Sequence, residues 1–208
     1  VLVHEGVNNS GDINKPKCDG VSGTLFPILD RLDPAVDLVV SGHTHQSYVC
    51  DYANINPARP ILLTSAGSRG QVVTGIDLKV DPRTGKVLSK TARNVVVQSE
   101  AFSNARGEVP LVEGFPIVAP RADLAALASR YREAAKAEAN RMVGTLAGAA
   151  TRDRGKTGES VLGNLIADAQ LSATAGAENG GAQIAFMNPD GIRADVVPDA
   201  DGNVSFGI

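Results

Sequence analysis

The chain has 208 residues, 43% of them hydrophobic, and a formal net charge of −3. That length accommodates one or two domains, and the apolar fraction is that of an ordinary globular protein. The charge excludes a broad basic surface for nucleic acid, and no apolar run reaches the roughly 20 residues of a membrane span.

In chain order, residues 1–4 read as a strand and 5–20 as a polar, glycine-rich loop. Ser22 is expected to cap a helix running to about Leu32, with Leu25, Phe26, Ile28, Leu29 and Leu32 toward the core. Residues 36–40 read as a buried strand, and 46–52 and 60–64 as two more. Residues 71–80 alternate, turn at Asp81-Pro82-Arg83-Thr84-Gly85 and return over 86–97, which is a hairpin pattern. Residues 99–120 are expected to be irregular, since Pro110, Pro116 and Pro120 break them. A long helix follows from Asp123 to about Met142, then a short strand over 144–147 and a charged loop over 151–158. A helix over 159–173 and a buried strand over 182–187 complete the pattern.

Chemistry concentrates at Val39-Val40-Ser41-Gly42-His43-Thr44-His45, where two of the three histidines stand two residues apart after an apolar run. In extended backbone such residues face the same side, and imidazole is a common ligand of zinc, iron and related metals. Ligands of open α/β sheets bind beyond the carboxyl ends of strands, where His43 and His45 are expected. His4 likewise follows an apolar start.

These residues resemble a known family. Ser-Gly-His-Thr-His after Asp-Leu-Val-Val is similar to the last metal motif of the calcineurin-like metallophosphoesterases, and Val1-Leu2-Val3-His4-Glu5-Gly6 to the motif before it. Gly163-Asn164-Leu165-Ile166-Ala167-Asp168-Ala169 and Phe186-Met187-Asn188-Pro189-Asp190-Gly191-Ile192-Arg193-Ala194 resemble two motifs of the 5′-nucleotidase C-terminal domain. That order resembles the 5′-nucleotidase and 2′,3′-cyclic-nucleotide phosphodiesterase group over almost the whole chain. The family's Asp-x-His, Gly-Asp and Gly-Asn-His-Glu motifs are absent from these 208 residues. The expectation is therefore a fragment of a larger protein.

The resemblance implies an α/β (α+β) fold. Residues 1–118 would be the C-terminal half of a metallophosphoesterase β-sandwich flanked by helices, and 119–142 a linker helix. Residues 143–208 would be the first part of an α/β 5′-nucleotidase C-terminal domain. It implies two divalent metal ions in the parent protein (zinc, manganese, iron or cobalt), with His4 and His43 on one and His45 on the other. The parent would cleave phosphate esters of nucleotides with a metal-activated water. This segment holds none of the directly catalytic groups and is expected to be inactive alone. The alternatives are a noncatalytic nucleotide- or metal-binding module, or a nucleotide-sugar hydrolase. Partners would be the nucleotide and the remainder of the same polypeptide.

Asn188 and Arg193 match the family's substrate-binding positions, and a guanidinium can hold phosphate or carboxylate through paired donors. The other reading of Arg193 is an ion pair with Asp168 or Asp195. Asp190 stands where the family often has glycine, which puts the local turn in question. Glu159 is read as favouring the helix dipole at a helix start, and Asp168 as structural. If the fold holds, Cys18 and Cys50 both approach the metal site, and a disulfide between them would clip the ligand loop; two free buried thiols are the other reading. A disulfide and the family's habit point to a periplasmic or secreted protein.

Overall fold

The computed structural model describes residues 1–104 and 107–207. Positions 105 and 106 of the stretch expected to be irregular, and position 208 of the expected second domain, lie outside them. The fold is mixed α/β, and the chain divides into two compact units, Val1–Pro120 and Arg121–Ile208.

In the first unit, β1 (Asn8–Asn9) pairs antiparallel with β2 (Val21–Ser22) and closes the loop after His4. Helix α1 spans Phe26–Arg31. Its expected cap is corrected: Ser22 belongs to β2, and Leu25 occupies the N-cap without a side-chain bond. Pro27 starts the helix instead, because its fixed φ suits the first turn. Leu25 and Leu29 are buried, with Phe26, Ile28 and Leu32 packed around them as the spacing required.

Three strands form the central sheet: β3 (Leu38–Val40), β4 (Ser47–Asp51) and β5 (Leu62–Ala66). β5 lies between the others, parallel to β3 and antiparallel to β4. Its residues Leu62, Leu63, Thr64 and Ser65 are all buried, the signature of a strand covered on both faces. The expected strand over residues 1–4 shrinks to one bridge between Leu2 and Val40. Leu2 is exposed, so this edge has too little apolar cover to extend the ladder.

The hairpin of β6 (Val72–Val80) and β7 (Val87–Val96) forms as expected. Val72, Thr74 and Ile76 are half-buried while Val73, Gly75 and Asp77 face solvent, the period of two of a one-sided strand. Asn94 of β7 joins this hairpin to β5 by donating its Nδ2 to the Ser65 carbonyl at 3.2 Å. The expectation of irregular backbone from 99 to 120 is corrected in part. β8 (Phe102–Asn104) and β9 (Gly107–Val109) pair antiparallel ahead of the first of those prolines.

The second unit begins with α2 (Ala122–Ala139), none of whose residues is buried. Arg121, at the N-cap, donates to both carboxylate oxygens of Asp123, at 3.0 and 2.6 Å. β10 (Met142–Thr145) pairs antiparallel with β11 (Asn203–Ser205). Helix α3 covers Val161–Thr174, and the Gly163 amide donates to the Oγ of its cap, Ser160, at 3.0 Å. Ser160 rather than Glu159 thus sets the helix start, and no acidic residue lies in the first turn.

A small core joins Ala150, Leu162 and Ile192, with Leu146, Ile166, Met187 and Val196 against it. The buried strand expected over 182–187 is absent: these residues are irregular. Ile184 is 69% and Phe186 82% exposed. The apolar run predicted burial, but no neighbouring strand within this unit pairs with it.

Candidate functional site

The histidine loop leaves β3 at Ser41. The Ser41 amide donates to the Thr64 carbonyl of β5 at 2.9 Å, continuing the parallel register for one residue past the strand. The backbone then turns sharply. His43 has φ 65° and His45 φ 59°, left-handed values that histidine adopts more readily than branched residues do. The expectation that the two share a side in extended backbone is therefore corrected: each sits at its own reversal of the chain. Two strained residues in one loop are a common feature of binding sites.

The second arm is docked against this loop. The Gly42 amide donates to the Glu5 carbonyl at 3.2 Å, and Thr44 Oγ1 donates to the Val7 carbonyl at 2.9 Å. The contact depends on Gly6, where any side chain would run into the Gly42 carbonyl and into Thr44. This close approach brings two rings together. His43 Nδ1 lies 3.2 Å from His4 Nε2 across 39 residues of sequence, with ring centroids 5.0 Å apart in an edge-on arrangement. Both rings are exposed, as is His45. Among the described residues, no three His, Cys, Asp or Glu side chains stand close enough to form a metal-binding group. The structure thus gathers His4 and His43 into a pair, and His45 follows on the same loop outside any three-donor cluster.

Beneath the loop lies a polar layer. The Val7 amide donates to Tyr48 Oη at 3.3 Å, Tyr48 Oη lies 2.5 Å from Ser41 Oγ, and Ser41 Oγ donates to the Thr64 carbonyl at 2.9 Å. Two residues after Tyr48 on β4, Cys50 forms a disulfide with Cys18, with Cα atoms 4.9 Å apart. It ties the loop after His4 to the strand after His45. The Asp51 amide reinforces the tie by donating to the Pro16 carbonyl at 2.8 Å. Asn14 and Asn94 exchange two hydrogen bonds, at 2.7 and 2.8 Å, and hold the same loop to β7. After β5, Gly67 and Gly70 adopt φ of 71° and 69°, so the Gly-Ser-Arg-Gly segment serves to turn the chain.

In the second unit, Ile192 is buried and anchors the Asn-Pro-Asp-Gly-Ile-Arg loop, leaving Arg193 exposed. Asp195 is engaged by Arg152, whose backbone amide and Nε donate to it at 2.8 and 3.2 Å. Those bonds, the amide's first, hold the Asp195 carboxyl below the usual carboxylate range. The alternative in which Arg193 pairs with Asp195 is therefore not the one the structure shows. Asn188 caps a 3₁₀ turn over Pro189–Gly191, accepting from the Asp190 amide at 3.0 Å. That bond uses only the carbonyl oxygen of its side chain. Asp190 keeps a right-handed turn conformation, so a glycine is not required there. A cleft beside this loop is lined by Arg154, Ser160, Gly163, Asn164, Phe186 and Met187. Phe186 is 82% exposed on this cleft. It stands two positions before Asn188 in an apolar run that the sequence predicts as a buried strand.

Part of the chain matches a known family, and the whole is similar to several known proteins. The family described as "5′-nucleotidase, C-terminal domain" matches residues 142–207. Endonuclease YhcR of Bacillus subtilis (strain 168) is 22% identical over 193 residues, 93% of this chain but 13% of its own length. Among solved structures, the Haemophilus influenzae NAD nucleotidase superposes with a TM-score of 0.42 at 18% identity, over 82% of this chain and 36% of that one. A 5′-nucleotidase precursor from Thermus thermophilus gives 0.40 at 23% identity, over 83% and 32%. The chain therefore spans about an eighth of the endonuclease and about a third of either nucleotidase structure. The match to the 5′-nucleotidase C-terminal domain thus covers the last third of this chain, residues 142–207.

Proposed function

We propose that this chain is part of a dinuclear-metal-dependent phosphohydrolase that cleaves phosphate esters of nucleotides. One observation carries the reading: two imidazole nitrogens from distant segments meet 3.2 Å apart on an exposed loop. Two nitrogens bound at about 2.0–2.1 Å to one tetrahedral zinc would stand roughly 3.3 Å apart. The donors present thus fit one shared ion. His4 and His43 would hold one metal and His45 would contribute to the other, with zinc, manganese, iron or cobalt all compatible with such donors. When bound, the metals neutralise charge on the phosphoryl oxygens and lower the pKa of a water.

The chain's own residues contribute orientation. Arg193 offers paired donors to a phosphate or lies flat on a ring, and Asn188 keeps its amide donors for a ribose or base edge. Phe186, exposed two positions before Asn188, presents a face on which a base can stack. Residues 1–118 are read as the later part of a metallophosphoesterase domain, 119–142 as a linker helix, and 143–208 as the start of the nucleotide-binding domain. The disulfide supports a periplasmic or secreted location, and no described helix is long and apolar enough to cross a membrane.

The test is calorimetric titration of the chain with zinc and, separately, with adenosine monophosphate. Zinc binding is expected to weaken at least tenfold in both His4→Ala and His43→Ala. Nucleotide binding is expected to weaken in Arg193→Ala. Zinc binding that neither histidine substitution diminishes would overturn the metal reading.

A further inference from the structure

Tyr48 is among the most deeply buried side chains of the first unit, at 1% exposure, yet its hydroxyl has a defined set of partners. The directions of its bonds follow from the donors available. The Val7 amide can only donate, so Tyr48 Oη accepts from it at 3.3 Å. Ser41 Oγ spends its proton on the Thr64 carbonyl at 2.9 Å, so it accepts the Tyr48 proton across 2.5 Å. The result is a one-way chain from Val7 N–H through Tyr48 and Ser41 to β5. Val7 lies three residues after His4, and Ser41 lies two residues before His43. One hydroxyl therefore holds the roots of both histidine arms against the same strand.

We propose that Tyr48 is a positioning residue that sets the separation of the His4 and His43 rings. It touches neither ring and acts through the backbone of Val7 and through Ser41. A phenylalanine at this position would fill the same volume while leaving the Val7 amide without its partner and Ser41 Oγ without its donor. Two buried polar groups would then relax toward new partners, and the two arms carrying them would move independently. This inference rests on the reading of His4 and His43 as ligands of one metal, and it predicts a ring arrangement that exists before any metal binds.

The experiment is nuclear magnetic resonance of the metal-free chain, following ring-to-ring cross-relaxation between His4 and His43, together with calorimetric zinc titration. Tyr48→Phe is expected to abolish or strongly reduce the ring contact and to weaken zinc binding about tenfold. Tyr52→Phe, which removes another core hydroxyl that does not touch the loop, is expected to leave the ring signals in place. Unchanged ring contacts in a folded Tyr48→Phe overturn the proposal. If that variant does not fold, Ser41→Ala breaks the same chain at the next link, and its ring signals decide in the same way. A wild-type chain that shows the ring contact but takes up no zinc sinks the metal reading alone, because the ring measurement still judges Tyr48.

Discussion

A methyl group added to Gly6 would overlap the carbonyl oxygen of Gly42 and stand 2.7 Å from Thr44 Oγ1. Backbone cannot yield at that point without separating the His4 arm from the His43 loop. Gly6→Ala is therefore expected to destabilise the first unit by on the order of 2 kcal/mol and to weaken zinc binding. Gly42→Ala is the control, because its added methyl meets nothing within 4 Å. Urea denaturation of both variants checks the difference, and equal stabilities would contradict the packing argument.

Thr64 points the other way. Its Oγ1 is buried without a hydrogen-bond partner among the described residues, and the residue is fully inaccessible. An unpaired buried hydroxyl is costly. Thr64→Val keeps the shape and removes the group, and is expected to raise stability by about 1 kcal/mol. A lower denaturation midpoint in that variant would count against it.

The Cys18–Cys50 bond spans 32 residues. Chain-entropy reasoning assigns such a crosslink about 3–4 kcal/mol. The double variant Cys18→Ala/Cys50→Ala is expected to lose a similar amount in urea, and a reducing agent should lower the midpoint of the wild type but not of the variant.

Alkaline pH should expose the Tyr52–Asp30 contact, in which Tyr52 Oη donates to Asp30 Oδ1 at 2.9 Å. Burial first, and then Asp30, pushes the Tyr52 hydroxyl up to about 12 from 10.0. The folded state thus favours the protonated phenol. Its contribution is complete below the unfolded pKa of about 10 and is lost as pH rises toward 12. Stability measured across that window should fall less steeply in Tyr52→Phe than in the wild type.

Steady metal-dependent hydrolysis of a nucleotide by these 208 residues alone is not expected. The described residues provide no three-donor cluster, and a two-metal site needs more ligands than the histidines supply. A substrate panel of monophosphate, cyclic phosphate, nucleotide sugar and a short oligonucleotide, with zinc or manganese added, checks this.

Periodicity made the β6–β7 hairpin and the core face of α1 legible, because alternation and helical spacing are local properties. The pairing of His4 with His43 was legible only through motif resemblance, since nothing local to either residue encodes a contact across 39 positions. Backbone conformation was not legible at all: His43 and His45 take left-handed turns in a loop packed closely on Gly6. Tyr48 escaped notice because a tyrosine inside an apolar strand reads as core, and its hydroxyl matters only once Val7 and Ser41 are seen on either side. The run over 182–187 misled for the opposite reason, being apolar enough for a strand while its unit offers it no partner.

His43 and His45 lie within the span enclosed by the sulfur bridge, and His4 lies just ahead of it. A single protease cut anywhere between positions 18 and 50 would thus leave two polypeptides joined covalently, one carrying His4 and Cys18 and the other Cys50. Such nicked molecules would migrate intact on a gel and come apart only on reduction.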